Sequence, residues 1–468
     1  MNEYKKLGLD TLYMLIGNFG SKLIIFLLLP IYTRMLSTKE FGKVELVLSY
    51  SNLLLPIFSF LMCEAIFRLA MGKTKEEKQK YFTTYLTFGN LTILLSFIIV
   101  YFINKVFKVD FQIDLKMLFL ILVMMFNYEY LKQFLKVLDF VKEYSLLGIL
   151  YTLLYMCLNL YLINLKGVQG YFESIVLTNI ILILIVVIYF KFFNFYNIKF
   201  FNISIIKEGV YYVIPLLPTS LIWWIINLSN RIILNHFYSL EYLGIYSVSS
   251  KFALILSTIF TIFYSSWQIS AIREGEKREY KDFYKTVFKI IEIILTISVI
   301  LLLFLLQYFY KYIIGKEYIE ALKYISILMF GTIFSSFSSF IGVNYVVFKK
   351  TKNAFYTGIF AAILNLILNF LLIPTLGILG ACLSNFSAYL LFFILRKVDS
   401  KKIIELEVSN KYIIFYIFWS MSIVILFYNY SILNIIIIFF LVIYYIYSNI
   451  KFISNILKEL KRKMEVKL

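Results

Sequence analysis

LSTKEFGKVELVLSYSNLLLPIFSFLMC (36–63) decides the fold. It reads as a membrane helix carrying a polar stripe: Glu45, Ser49, Asn52, Pro56, Ser59 and Cys63 recur at steps of three and four, so they share one helix face. A second stretch, FYSLEYLGIYSVSSKFALILSTIFTIFYS (237–265), repeats the pattern. Aligning Gly42 with Gly244 sets an offset of 202 residues and pairs Ser37 with Ser239. At that offset Ser247, Lys251, Thr258, Thr261 and Ser265 fall on Glu45, Ser49, Pro56, Ser59 and Cys63. The chain is therefore read as a duplication, with two polar stripes in register.

The rest of the sequence says where such stripes would lie. Of 468 residues, 61% are hydrophobic and 16% charged, against about 45–50% and 25% in soluble globular domains. Apolar runs of about 20 residues recur from end to end without period-2 alternation, which predicts membrane helices and excludes a barrel. The net charge of +19 does not point to nucleic acid, because the basic residues lie mainly in short loops between apolar runs. Three separated cysteines, all within apolar runs, and the single His236 leave no disulfide framework or histidine metal site. MNEYKKLGLD leads into the first apolar run with no small-residue cleavage site, so a retained helix is expected rather than a signal peptide.

The predicted fold is all-α and polytopic, with about fourteen transmembrane helices. Spans are placed near 9–33, 42–66, 81–104, 115–136, 144–165, 170–192, 208–231, 242–268, 286–310, 319–347, 353–373, 376–396, 411–430 and 432–451. With both termini in the cytoplasm, inner segments hold roughly three times the Lys and Arg of outer loops. The repeat offset corresponds to six spans, an even number, so both halves share one orientation, related by an axis along the membrane normal. The expected divisions are 1–200 and 201–398, each a six-helix bundle related to the other by a pseudo-two-fold, and 399–468, two further helices with a basic cytoplasmic tail.

The candidate site follows from charges inside these spans. Lys22 lies deep in the first, where a charge costs roughly 2.5–3.5 kcal/mol on insertion scales. Asn18 is one turn earlier on the same face. Lys22 is either paired for structure or faces a hydrated cavity. Lys251 stands on the eighth-span stripe. Arg231 ends the seventh span one turn after Asn227, as a cavity cation or an interfacial anchor. Glu64 and Arg68 are spaced i,i+4 at the inner end of the second span, as a surface pair or a cavity lining. Asn365 and Asn369 suit interhelical hydrogen bonding. The ion-coupling candidates are Glu129, with Lys132 able to neutralise it, and Glu45. Gly17, Gly20, Pro215 and Pro218 are backbone soft points suited to bending in the first and seventh spans. A cationic lining of Lys22, Arg68, Arg231 and Lys251, with Asn18, Ser49, Asn52, Asn227 and Thr258, suits an anionic, hydroxyl-bearing cargo.

LPIYTRMLSTKEFGKVEL (29–46), YYVIPLLPTSLIWWIINLSNRIILNHFYSLEYLGIYSVSSK (211–251) and NLILNFLLIPTLGILGACLS (365–384) resemble the polysaccharide exporter branch of a transporter superfamily. That superfamily also holds MATE drug antiporters and lipid II flippases. The resemblance spans nearly the whole chain. It implies a V-shaped pair of six-helix bundles working by alternating access. The cargo would be an undecaprenyl-diphosphate-linked repeat unit, flipped across a bacterial cytoplasmic membrane. It implies no cofactor beyond a coupling proton or sodium ion, and as partners membrane lipids, a polysaccharide polymerase and assembly proteins, with no nucleic acid. Related lipid II flippases carry arginines on the first, second and eighth helices; here those positions hold lysine or are displaced.

Lys22 and Lys251 would then grip the diphosphate while rocking about Gly17, Gly20, Pro215 and Pro218 opens the outer side. A MATE-type antiporter of organic cations is the nearest alternative and would need an acidic cavity. A membrane polysaccharide polymerase or glycosyltransferase would need a long outer loop with catalytic charges, and the outer loops are short. A scaffold subunit has no need of paired polar stripes.

Overall fold

The computed structural model describes residues 26–108, 112–275, 280–348 and 350–401, with Ile443, Tyr445, Tyr447 and Asn449. Asn18, Lys22, Gly17, Gly20 and most of the last two predicted spans lie outside the described residues. Within them the protein is helical and has no strand.

The helices are α1 (Phe26–Met35), α2 (Thr38–Phe58), α3 (Met62–Ala70), α4 (Lys75–Phe107), α5 (Leu115–Val137), α6 (Val141–Lys166) and α7 (Val168–Tyr189). After two short 3-10 turns come α8 (Ile203–Val213), α9 (Leu217–Phe237), α10 (Leu240–Glu274) and α11 (Tyr280–Ile313). Then follow α12 (Leu322–Val347), α13 (Thr351–Leu376) and α14 (Ile378–Ser400). Ten are long and apolar enough to cross a membrane, or eleven if the bent pair α8–α9 is one span. This is a multi-pass membrane protein.

Local chemistry sets the ends. Ser37 caps α2, and Glu40 returns a carboxylate to the Ser37 N–H; Thr74 and Glu77 do the same for α4. Two predicted spans are not single straight helices. The second breaks into α2 and α3. Pro56 removes the N–H that would reach the Asn52 carbonyl. The chain stops at Phe58, and Phe60 and Leu61 take left-handed φ of 49° and 50°. Bulky residues pay about 1–2 kcal/mol each for that conformation. The Leu61 N–H then closes the turn on the Pro56 carbonyl at 3.0 Å. The seventh span bends by 48° between α8 and α9, where Pro215 and Pro218 stand.

The duplication is realised as contact. α2 and α10 cross with Gly42 against Gly244. A Cβ at Gly42 would lie 1.9 Å from the Leu240 carbonyl oxygen, and one at Gly244 would lie 2.0 Å from that of Thr38. Thr38 and Leu240 are themselves 202 residues apart, so the contact is reciprocal, as a two-fold relation requires. A second correspondence runs at offset 210. Gly167 joins α6 to α7 and Gly377 joins α13 to α14, with φ, ψ of 57°, −135° and 58°, −127°. Gly170 and Gly380 follow, and a Cβ on them would strike the carbonyl oxygens of Leu162 and Leu372 at 2.0 and 2.2 Å. The same tight helical hairpin therefore occurs twice.

Contacts beyond α2 and α10 close one end of the molecule. Gly315 N–H donates to Thr33 Oγ1 at 3.1 Å, Tyr318 Oη to the Leu36 carbonyl at 2.9 Å, and Arg34 Nη2 to the Tyr312 carbonyl at 2.6 Å. The Thr38 N–H meets Glu317 Oε2 at 3.3 Å. All these residues belong to, or border, loops expected on the outer face.

Candidate functional site

One turn into the membrane from the Gly42–Gly244 crossing, three charged side chains from three helices converge. Glu45 of α2 is 2% exposed. One carboxylate oxygen lies 2.7 Å from Lys251 Nζ of α10, the other 3.4 Å from Arg231 Nη2 of α9. Arg231 Nη2 also donates to Ser250 Oγ at 3.2 Å, while its buried Nε and the Ser247 hydroxyl have no partner among the described residues. Among the described residues the cluster holds two cations and one anion, so one positive charge is in excess there.

The helices hold it rigidly. Ser49 Oγ donates to the Glu45 carbonyl at 2.7 Å, and Trp224 Nε1 to the Ser49 carbonyl at 3.1 Å, which ties α9 to α2 beside the cluster. Asn227 takes a hydrogen bond from Tyr389 Oη at 2.5 Å, and Asn230 donates to Tyr246 Oη. Further along, Asn52 on α2 and Leu254 and Thr261 on α10 are exposed. Thr258 is not on that open side: it is buried, with its hydroxyl on the Leu254 carbonyl at 2.8 Å. Burying such charges costs several kcal/mol per ion, offset only where geometry and hydrogen bonds are good.

The candidates thus divide. Glu45, Arg231 and Lys251 meet, with Ser49 and Asn227 close by. Arg68 does not join them: it is exposed on α3, past the break. Glu129 sits on α5 with Lys132 Nζ at 3.8 Å, and it accepts from Gln133 Nε2 at 2.6 Å. Asn365 and Asn369 bond each other at 3.0 Å and reach Ser229 at 3.3 Å, as interhelical polar pairs. Pro215 and Pro218 lie at the α8–α9 bend. No cluster of metal-ligating side chains occurs among the described residues.

Sequence reasoning missed a run of tyrosines inside α1, α5, α6 and α7. Tyr32, Tyr171, Tyr155, Tyr151 and Tyr128 follow one another with ring centroids 5.6, 6.0, 6.1 and 5.1 Å apart. The i,i+4 pair Tyr151 and Tyr155 was the visible signal. It is masked by a composition with 39 tyrosines.

The chain's matches to two families place it in the transporter superfamily that holds MATE antiporters, lipid II flippases and polysaccharide exporters. Within it, the chain belongs to the family described as polysaccharide biosynthesis protein, which it matches over residues 7–268. Residues 215–371 also match the MatE family. Among solved structures, the lipid II flippase MurJ in an inward closed conformation is 16% identical with a TM-score of 0.71. That alignment covers 96% of this chain and 99% of MurJ. An inward-facing multidrug resistance MATE family transporter is 14% identical with a TM-score of 0.54, covering 83% of this chain and 94% of its own. A transporter from Pyrococcus furiosus Vc1, described by the reverse polarity of its binding pocket, is also 14% identical, with a TM-score of 0.55 and coverage of 83% and 95%. No curated protein sequence matches.

Proposed function

We propose that this protein is a flippase that carries a lipid-diphosphate-linked oligosaccharide from the inner to the outer leaflet of a bacterial cytoplasmic membrane. One observation carries the reading: the Glu45–Lys251–Arg231 cluster joins the two repeats and keeps an excess positive charge at a membrane-buried crossing. An organic cation would be repelled there, whereas a diphosphate would be held. The family description, polysaccharide biosynthesis, supports the sugar part of the cargo.

The mechanism is partner exchange. Lys251 and Arg231 are already engaged by Glu45, so an arriving diphosphate competes with that carboxylate. Taking either cation weakens the tie between α2 and α9–α10 and loosens the closed end. Protonating Glu45 does the same, which makes it a stronger coupling nominee than Glu129, whose partners lie on its own helix. By its place in the sequence, Lys22 of the first predicted span would add a further cation to this lining. Fourteen helices in two six-helix bundles (1–200 and 201–398) plus two more, with cytoplasmic termini, remain the proposed topology. The bundles rock about Gly17, Gly20, Pro215 and Pro218. An inside-negative potential assists outward movement by about 2.3 kcal/mol per charge per 100 mV.

The test is leaflet translocation of a fluorescent undecaprenyl-diphosphate oligosaccharide in proteoliposomes. Lys251→Ala with Lys22→Ala is expected to lower the rate at least tenfold. Full activity in the double variant removes the cationic grip. Drug efflux without sugar-lipid movement establishes the antiporter instead.

A further inference from the structure

A second cationic group lies away from Glu45, where α3, α5 and α6 meet. Lys136 Nζ sits 4.1 Å from the centroid of the Tyr144 ring and 5.0 Å from that of Phe67. Lys132, one turn earlier, lies 4.7 Å from the same Tyr144 ring and 5.8 Å from Tyr128. Two ammonium groups therefore contact one aromatic ring. Lys132 is loosely paired with Glu129 at 3.8 Å. Lys136 is half-buried and has no carboxylate in contact among the described residues; Glu64 and Glu129 act on it only at longer range. Lysines at the start of α4 behave differently: Lys73, just before it, and Lys80, within it, are balanced on the surface by Glu77 and Glu76.

Two like charges over one ring repel each other. Cation–π contact returns only about 0.5–2 kcal/mol each. A bound anion would offset both the repulsion and the lost hydration. Unlike Lys251, Lys136 can accept that anion without breaking an ion pair. The surroundings say what carries the anion. Lys136 stands in the last turn of α5, a helix long and apolar enough to cross a membrane, so an anion borne on a lipid is the one that meets it there.

We propose that Lys132 and Lys136 form a landing site for a lipid-borne phosphate. With the flippase reading, on which only this step rests, it is where the carrier diphosphate is loaded before it reaches Lys251. The site takes phosphate on either the carrier or an anionic phospholipid.

The experiment measures binding of three probes to the full chain in phosphatidylcholine nanodiscs: undecaprenyl diphosphate, phosphatidylglycerol and inorganic phosphate. Lys132→Gln with Lys136→Gln is expected to weaken undecaprenyl diphosphate about tenfold. Lys136→Arg retains binding and Lys73→Gln has no effect. In translocation the double variant raises the substrate concentration for half-maximal rate and leaves the maximal rate unchanged. Loss of phosphatidylglycerol alone overturns the loading role and leaves a phospholipid site. Unchanged binding of all three probes by a variant that melts as wild type overturns the inference, and the flippase reading stands. Lost binding beside a wild type that moves no sugar lipid fails that reading and keeps the site. The two single Gln variants, read the same way, decide the matter if the double variant does not fold.

Discussion

Glu45 is the hub of its cluster: each oxygen faces a different cation from a different helix. Removing it strands both cations in a buried place, whereas removing Lys251 leaves the Arg231 pair. Truncating one partner of a buried pair costs about 3–5 kcal/mol. Glu45→Ala is therefore expected to lower the melting temperature in detergent clearly more than Lys251→Ala. A double-mutant cycle on Glu45 and Lys251 should give favourable coupling above about 0.5 kcal/mol. A cycle that sums to zero would show that the 2.7 Å contact contributes nothing. The sequence made both residues conspicuous, as charges on polar stripes. It did not show that they touch, because 206 positions separate them and the stripe alignment pairs Lys251 with Ser49. The pairing arises from the crossing of α2 over α10, which brings each stripe against the other.

At the scale of elements, glycine geometry controls the two joints and the crossing. Gly167 and Gly377 occupy a backbone region that is essentially glycine-only, and a side chain there costs about 1–3 kcal/mol. Gly377→Ala is expected to reduce stability by that amount, read as a drop in the thermal midpoint; an unchanged midpoint would mean that the hairpin relaxes freely. Gly42→Val is a sharper test. Its Cβ would collide with the Leu240 carbonyl, so α2 and α10 must separate. A cysteine at Ser239 should then label faster from the outside than it does with Gly42 intact. Both hairpins were present in the sequence, as KGVQG (166–170) and LGILG (376–380), but their offset of 210 differs from the 202 of the polar stripes. One alignment cannot hold both. The broken second span was hidden too. Pro56 was read only as a member of the polar stripe, and left-handed Phe60 and Leu61 come from how α3 packs on α4 and α5 rather than from their own preference.

For the whole molecule, the closed end makes a prediction about motion. Thr38 and Glu317 approach each other there from opposite halves of the chain. With cysteines at both positions, a short reducible thiol cross-linker is expected to stop translocation, and reduction to restore it. Transport that continues while cross-linked would exclude opening at this end. The same geometry predicts that an imposed inside-negative potential speeds outward movement of the dianionic carrier, measured as rate against valinomycin-set potential in proteoliposomes. No voltage dependence would place the rate-limiting step in the unloaded protein.

Composition, span length and the distribution of Lys and Arg determined by themselves that the chain is a bundle of membrane helices. Those properties are additive along the chain: each segment's transfer free energy is nearly independent of its neighbours. The charged stripes were legible for the same reason, since a helix places every third and fourth residue together. Tertiary structure alone decided which charges neutralise one another, that Lys251 is already committed to Glu45, that Thr258 turns inward, and that Lys136 shares a ring with Lys132. These depend on distances between segments far apart in sequence, and Coulomb and aromatic contacts vary over a few ångströms that no periodicity encodes.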